Sequence, residues 1–308
     1  MRLVLVLSEN WTLVQPRDLR ALVELAVVAE DAGFDAVMVS EHIVLGPSAG
    51  HAGVMGNPRD YALSGNQDPA TPWPSSLVLL SAIAAATTTL RLAACAVIAP
   101  LRHPLLLARE LGTLDLLSEG RLIVQPTVSW HRDEYAALGV PFERRGELLD
   151  EHLAAWAAVW AGSPASFHGE HYSFTDVYLE PKAWRPGGPT IWLGGESVHP
   201  RLLRRIVRHA AGFHPLGQPS DQDLRTLAAG MAAVGRSLDE LELVCGVRGV
   251  FPDAVSPALL GPALAALPEK VARGFTTICI KPSQFVDELA RYPGWCREVV
   301  ERVEELAA

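Results

Sequence analysis

Apolar residues along this chain come in two rhythms. Short, nearly uninterrupted apolar runs cover residues 3–7, 36–40, 92–99, 122–124, 190–193, 212–215, 241–250 and 276–280. Runs of this kind suit strands buried on both faces, as in a parallel sheet. Between them the apolar positions recur at helical spacing. Leu19, Leu22, Val23, Ala26 and Val27 mark one face of a helix over residues 17–32, which Gly33 stops. Leu107, Leu111, Leu114 and Leu117 mark another, opened by Pro104 and ended by Gly120. Leu148, Leu149, Leu153, Trp156 and Trp160 lie along a third, over residues 143–160. Further helices are predicted over 75–87, 200–209 and 221–234, with a proline-broken one in 257–273 and a last one over 283–306, interrupted near Pro293. Residues 168–179 alternate through Tyr172, Phe174, Val177 and Leu179 and predict a small hairpin.

Strands alternating with helices imply a parallel α/β sheet, and eight such units close into a (β/α)8 TIM barrel. The rival, an open doubly wound sheet, lacks the G-x-G-x-x-G expected after its first strand. The predicted organisation is one barrel domain over residues 1–308, with a loop insertion at 46–74 and a hairpin insertion at 166–180. In a barrel the site is built where the strands end. This gathers residues 8–11, Glu41, His42, 99–103, 125–131, 194–197, His214 and Lys281 at one mouth. The 46–74 segment is polar, rich in Gly and Pro, and follows a strand end, which predicts a lid or binding loop.

Composition narrows the function. A formal net charge of −9 argues against non-specific nucleic-acid binding, which needs a basic face. The longest apolar stretch, 77–86, is too short for a membrane span, and the apolar start is too short for a signal peptide. No membrane partner and a cytoplasmic location are therefore expected. Cys95, Cys245, Cys279 and Cys296 show no paired spacing and read as buried thiols of a reducing compartment. His168 and His171 face apart in the alternating hairpin and have no further ligand at a suitable spacing, so no metal is expected. No serine nucleophile elbow or Walker loop is present.

The segments AEDAGFDAVMVSEH (29–42), PLRHPLLLARELGTLDLLSEGRL (100–122), HRDEYAALGVPFERRGELLDEHL (131–153), FHGEHYSFTDVYLEPK (167–182) and PTIWLGGES (189–197) resemble the bacterial-luciferase-like flavin and deazaflavin oxidoreductases. The resemblance covers most of residues 1–217 in order. It implies a barrel enzyme, a homodimer, acting on a small-molecule substrate with coenzyme F420 or, alternatively, FMN. The Ser40-Glu41-His42 form is closer to the F420-using branch, which implies hydride transfer to or from a small organic substrate. An FMN-dependent monooxygenase using dioxygen and a non-catalytic flavin-binding or interaction protein are the alternatives. The resemblance also implies a non-proline cis peptide at or beside Ala96-Val97, in a bulge that backs the cofactor ring. Two departures stand out. The glycine-rich stretch usual after the fourth strand is here Gln125-Pro126-Thr127-Val128-Ser129-Trp130, keeping only the Trp, and the usual Asp-Gly-Trp-His is Ala211-Gly212-Phe213-His214.

The candidate site residues follow. His42 is the catalytic or substrate-polarising candidate, or else a hydrogen-bonded structural histidine. Ala96, Val97, Thr127, Trp130, Gly194, Gly195 and Ser197 are the cofactor-binding candidates. Glycines before a helix that begins at Pro200 suit a phosphate; the other reading is a tight turn with Ser197 as helix cap. Trp11, Glu41 and His214 are assigned to the substrate, although Glu41 also suits bonds to local backbone. His103 is expected to cap the helix at Pro104, and His131, Asp133 and Glu134 to be solvated or paired with Arg144 and Arg145. Trp11, Met55, Tyr61, Trp73, Trp130 and Phe213 suggest an apolar or aromatic pocket.

Overall fold

The computed structural model describes residues 1–215 and 217–307. Its strands are β1 (Arg2–Val6), β2 (Ala36–Val39), β3 (Arg91–Ile98), β4 (Leu122–Thr127), β5 (Ala165–His168), β6 (Ser173–Val177), β7 (Thr190–Leu193), β8 (Gly212–Phe213), β9 (Glu242–Gly246) and β10 (Thr277–Ile280). All but β5 and β6 join in a closed barrel of order β1-β10-β9-β8-β7-β4-β3-β2, every pair of it parallel. β5 and β6 pair antiparallel as the separate small hairpin. The helices are α1 (Leu19–Ala32), α2 (Ser76–Ala86), α3 (Pro104–Leu117), α4 (Arg132–Ala137), α5 (Arg145–Ala161), α6 (Pro200–His209), α7 (Asp221–Ala233), α8 (Leu260–Leu264), α9 (Leu267–Ala272) and α10 (Tyr292–Ala307).

The unbroken apolar runs are explained by a double core. Alternate strand residues point inward, where Val4, Val6, Met38, Cys95, Trp192 and Cys279 fill the barrel. The others, such as Leu5, Val37, Leu92 and Val124, pack outward against the helices. A polar floor closes the end where the strands begin. Arg91 holds Glu242 through two bonds of 2.8 and 2.9 Å, Thr277 donates to the same carboxylate at 2.6 Å, and Arg2 approaches it at 3.3 Å.

Helix ends follow local chemistry. Asp18 caps α1 by accepting the Ala21 amide, and Gly33 ends it at φ +99, where a β-carbon would be strained. His103 caps α3 as expected, its Nδ1 accepting the Leu105 amide. The last helix differs from the sequence expectation. Short 3-10 turns at Pro282–Gln284 and Leu289–Arg291 precede α10, and Pro293 sits in its first turn instead of interrupting it. A missing N–H costs nothing there, so the same proline that breaks a helix interior opens one at its end.

Residues 46–74 carry only a 3-10 turn at Pro47–Gly50, and they lie across the mouth, fastened on the far side. Asn57 donates to the carbonyls of Asp253 and Ser256, Arg59 bonds Asp287 at 2.6 Å, and Arg248 bonds Asp60 at 2.6 Å. The root of this lid is tied to α4: the Gly46 amide donates to His131 Nε2 at 2.7 Å and the Ser48 amide to Asp133 at 2.9 Å. Gly46 lies so close that an added β-carbon would stand 2.3 Å from the Asp133 side chain.

Candidate active site

His42 stands just past the end of β2, ringed by aromatic groups. Trp73 of the lid meets it edge-on with centroids 5.1 Å apart, and Trp130 lies at 5.7 Å. Its Nδ1 lies 3.2 Å from Oε2 of Glu134 on α4. The other oxygen of Glu134 accepts the Ile43 and Val44 amides. This fully buried carboxylate therefore fixes both the imidazole and the chain leaving it. A neutral His42 held this way carries its proton on Nδ1, leaving the Nε2 lone pair free, and Nε2 has no partner among the described residues.

The expectation that His131, Asp133 and Glu134 would be solvated or paired with arginines is corrected here. His131 and Glu134 are fully buried, and Asp133 holds the lid root. Burial holds the His131 imidazole below its usual pKa. Arg144 instead pairs with Glu147 and Glu170. No residue spacing signals the Glu134–His42 pair, because 92 peptide bonds and a strand crossover separate the two. Only the placement of α4 against the end of β2 joins them.

Glu41, one residue earlier, points the other way. Arg102 grips it with bonds of 2.8 and 3.0 Å, and the Ile98 amide and the Ser76 hydroxyl donate to it at 2.7 and 3.1 Å. Four donors use the lone-pair directions of one carboxylate. Glu41 thus belongs to the frame joining β2, β3 and α2, and has no acceptor left for a substrate.

In β3 the register against β4 shifts between Cys95 and Val97, and the Cys95–Ala96 peptide is cis. Ala96 is the one residue from Leu92 to Ala99 that is not buried. Val97 packs in the outer core. Thr127 closes β4, and Thr127 and Trp130 are half-buried. His214 is locked to β4: its Nδ1 donates to Gln125 Oε1 at 2.6 Å, and Gln125 Nε2 donates back to its carbonyl at 3.1 Å. Burial pushes its pKa down to about 4. Of the expected pocket aromatics, Phe213 lies in the outer core and not at the mouth. Tyr61, carried by the lid, packs against the inner barrel cluster.

The glycines after β7 serve the chain itself. A β-carbon on Gly194 would fall 1.7 Å from the His214 carbonyl, and one on Gly195 would stand 3.2 Å from Leu202. Ser197 is exposed and does not cap α6; His199 does, accepting the Leu202 amide. The amides of Gly195, Glu196 and Ser197 nevertheless have no partner among the described residues, so they remain available to an anion ahead of α6.

The rim is completed by Glu9 and Trp11 after β1 and by Lys281 after β10. Lys281 is fully buried, and its ammonium donates to the Asp60 carbonyl of the lid at 3.0 Å. Glu9 Oε1, Trp11 Nε1, Trp73 Nε1 and the Tyr61 hydroxyl are buried without partners among the described residues. A cavity of about 10 Å3, room for one water, lies among Ser8, Glu9, Trp11, Ser40 and Trp73. Among the described residues no cluster suited to a metal ion occurs, and no helix is long and apolar enough to cross a membrane.

A family model for luciferase-like monooxygenases matches residues 1–254. The chain belongs to the luciferase-like monooxygenase family. It is 31% identical over 279 residues to an uncharacterized Mycobacterium tuberculosis protein, covering 87% of this chain and 89% of that one. It is 33% identical over 125 residues to the FMNH(2)-dependent dimethylsulfone monooxygenase of Pseudomonas putida, covering 40% of this chain and 34% of that enzyme. Among solved structures, the monooxygenase RslO1 of Streptomyces bottropensis superposes over 100% of both chains with a TM-score of 0.71 and 19% identity. The coenzyme F420 dependent tetrahydromethanopterin reductase of Methanopyrus kandleri superposes over 80% of this chain and 66% of that one, with a TM-score of 0.59 and 18% identity. At these identities the two structures speak to the fold, a luciferase-like (β/α)8 barrel.

The groups around the mouth fit a flavin or deazaflavin. Ala96 is the one half-buried point of an otherwise buried, bulged strand. The amides of Gly195, Glu196 and Ser197, without partners among the described residues, could meet a phosphate. Oriented imidazole, buried ammonium and lid offer proton exchange, polar recognition and exclusion of water in one place.

Proposed function

We propose that this protein is an oxidoreductase that uses coenzyme F420 for hydride transfer to or from a small organic substrate, with His42 exchanging the accompanying proton. The carrying observation is the Glu134–His42 pair at the mouth of the barrel, with Nδ1 engaged and Nε2 free. The bound deazaflavin supplies the hydride chemistry. The chain's residues do the rest. Nε2 takes a proton from a substrate hydroxyl or, once protonated, returns it, and the buried Glu134 carboxylate stabilises the charged ring. Trp73 and Trp130 hold the imidazole edge-on and keep water from it. Ala96, Val97, Thr127 and Trp130 would line the ring's seat, and the amides of Gly195, Glu196 and Ser197 would meet its phosphate.

A second reading is an FMN-dependent monooxygenase, favoured by the identity to the dimethylsulfone enzyme. An oxygenase needs a dry, apolar cavity, whereas this rim carries Glu9, Lys281 and Asp60, which favours hydride transfer. Spectroscopic titration of the purified protein with F420 and FMN, followed by turnover with and without dioxygen, is the test. Tight F420 binding with oxygen-independent turnover is expected. Turnover that requires FMN and dioxygen selects the monooxygenase, and failure to bind either cofactor rejects both readings.

A further inference from the structure

The far end of the lid meets the barrel with few polar groups of its own. It is Pro72-Trp73-Pro74, and the two prolines have no N–H to give. Its side-chain donor is the Trp73 indole, whose ring stands edge-on to His42. The barrel side is rigid. Asn10 donates from Nδ2 to the Val6 carbonyl at 2.9 Å and accepts the Ser283 amide at 3.1 Å, which fixes the loop after β1. Between the two sides lies the cavity of about 10 Å3, lined by Ser8, Glu9, Trp11, Ser40 and Trp73. Trp11 Nε1, Trp73 Nε1 and Glu9 Oε1 are buried without partners among the described residues. Ser8 Oγ accepts the Ser40 amide at 2.7 Å and lies 2.8 Å from Ser40 Oγ. Whichever hydroxyl donates to the other, Ser40 Oγ keeps a lone pair.

We propose that this cavity seats one water molecule, which latches the far end of the lid to the barrel and so positions Trp73 against His42. The cavity has room for a single water, and a buried water needs two to four polar partners. Four are at hand. The water accepts from the Trp11 and Trp73 indoles and donates to Glu9 Oε1 and Ser40 Oγ. Chloride is repelled by the Glu9 carboxylate, and ammonium has no lone pair for an indole N–H, so water is the small molecule that satisfies both kinds of wall. Without it two donors and a carboxylate oxygen stay buried and unpaired, each carrying its desolvation penalty. With it the lid is held at a third place, after its root on α4 and its middle on Asp287 and Arg248. Trp73 is then a positioning residue that acts on the chemistry through His42. This deepens the oxidoreductase reading and rests on it only in giving His42 a part in proton exchange.

The test needs no cofactor. A high-resolution crystal structure of the full-length protein should show one ordered water within hydrogen-bond distance of Glu9 Oε1 and both indole nitrogens. NMR then follows the Trp73 indole N–H and the His42 imidazole in Glu9→Leu and Glu9→Gln, each checked for folding by circular dichroism. Both substitutions remove the charge, but glutamine keeps an acceptor, so the difference between them isolates the bond to water. We expect the Trp73 indole hydrogen to exchange at least tenfold faster in Glu9→Leu than in Glu9→Gln. The His42 ring resonances should move in Glu9→Leu and return toward their parental positions in Glu9→Gln, as the Trp73 ring regains its place. A dry cavity, direct contact between Glu9 and either indole, or equal exchange in the two variants overturns the latch. His42 resonances that coincide in the two variants overturn the positioning role of Trp73. Failure to bind F420 or FMN overturns the oxidoreductase reading and leaves these readouts unchanged.

Discussion

The two oxygens of Glu134 have different tasks, and this makes the residue separable by mutation. In Glu134→Gln the amide oxygen can keep the Ile43 and Val44 amides, while the NH2 group faces His42 and can only donate. Nδ1 must then give up its proton, and Nε2 loses its free lone pair. We expect turnover to fall by about 100-fold, the scale of general acid–base catalysis, with cofactor affinity nearly unchanged. Nitrogen-15 NMR of the imidazole should report the switched tautomer, and an unaltered tautomer with parental turnover would return His42 to a structural role. Lys281 has its own signature in stability. Its amine titrates near 8 in the folded chain against an ordinary 10.5. Between those values the unfolded chain holds a proton that the folded chain lacks, so this residue makes the protein more stable as pH rises across that window. Below pH 8 the burial penalty is present in full. The contribution amounts to about 3 kcal/mol between the two limits. The four buried cysteine thiols, held above their ordinary pKa, oppose this rise in both proteins. Urea unfolding at pH 7 and pH 10 should therefore show the stability of the parent relative to Lys281→Met increasing with pH.

At the scale of elements, the lid 46–74 gets its order from polar bonds at its root and in its middle, since it has almost no regular structure. Arg59 is buried against the mouth and bonds Asp287 and the Val255 carbonyl, each at 2.6 Å. Removing the carboxylate in Asp287→Ala leaves a guanidinium half-paired. We expect amide hydrogen exchange from Asn57 to Tyr61 to speed up by about tenfold, with the barrel strands unaffected. Uniform exchange in both proteins would show that the Asp60–Arg248 pair and Asn57 suffice. The glycines after β7 are elements of packing too. A β-carbon on Gly194 collides with the His214 backbone, so Gly194→Ala should lower the thermal midpoint as well as cofactor affinity, whereas Ser197→Ala, at an exposed position, should leave the midpoint unchanged.

The whole molecule divides its labour between its two ends. The floor is a polar cluster in which Arg2, Arg91 and the Thr277 hydroxyl surround Glu242, gathered from β1, β3, β10 and β9, while the mouth carries the chemistry. The Arg91 guanidinium beside Glu242 holds that carboxyl below its usual pKa against the opposing effect of burial. Arg91→Met strands the carboxylate and should cost about 3 kcal/mol, because a largely buried charge loses its main partner. Denaturant unfolding measures the loss. Turnover per folded molecule should stay at the parental level, since the floor and the mouth lie at opposite ends of the strands.

Local sequence was enough for the barrel. Its strand and helix positions are written in apolar periodicity, and closing eight parallel units is the way such strands bury both faces. His42, Lys281 and the loops after each strand were legible as rim residues for the same reason, because the fold sends every strand end to one mouth. Which neighbour each rim residue meets was settled by tertiary structure. Glu41 and His42 are adjacent in sequence, yet one is saturated by Arg102, Ile98 and Ser76 and the other is held by Glu134. Glu134 reads as one charge in a polar stretch until α4 packs under the lid root. The segment 46–74 reads as an irregular loop until Arg59 and Asp60 find Asp287 and Arg248 from the far end of the chain. Periodicity reports which face of an element is buried. Pairings between side chains more than ninety residues apart depend on the relative placement of strands and helices, and that information exists only in the folded chain.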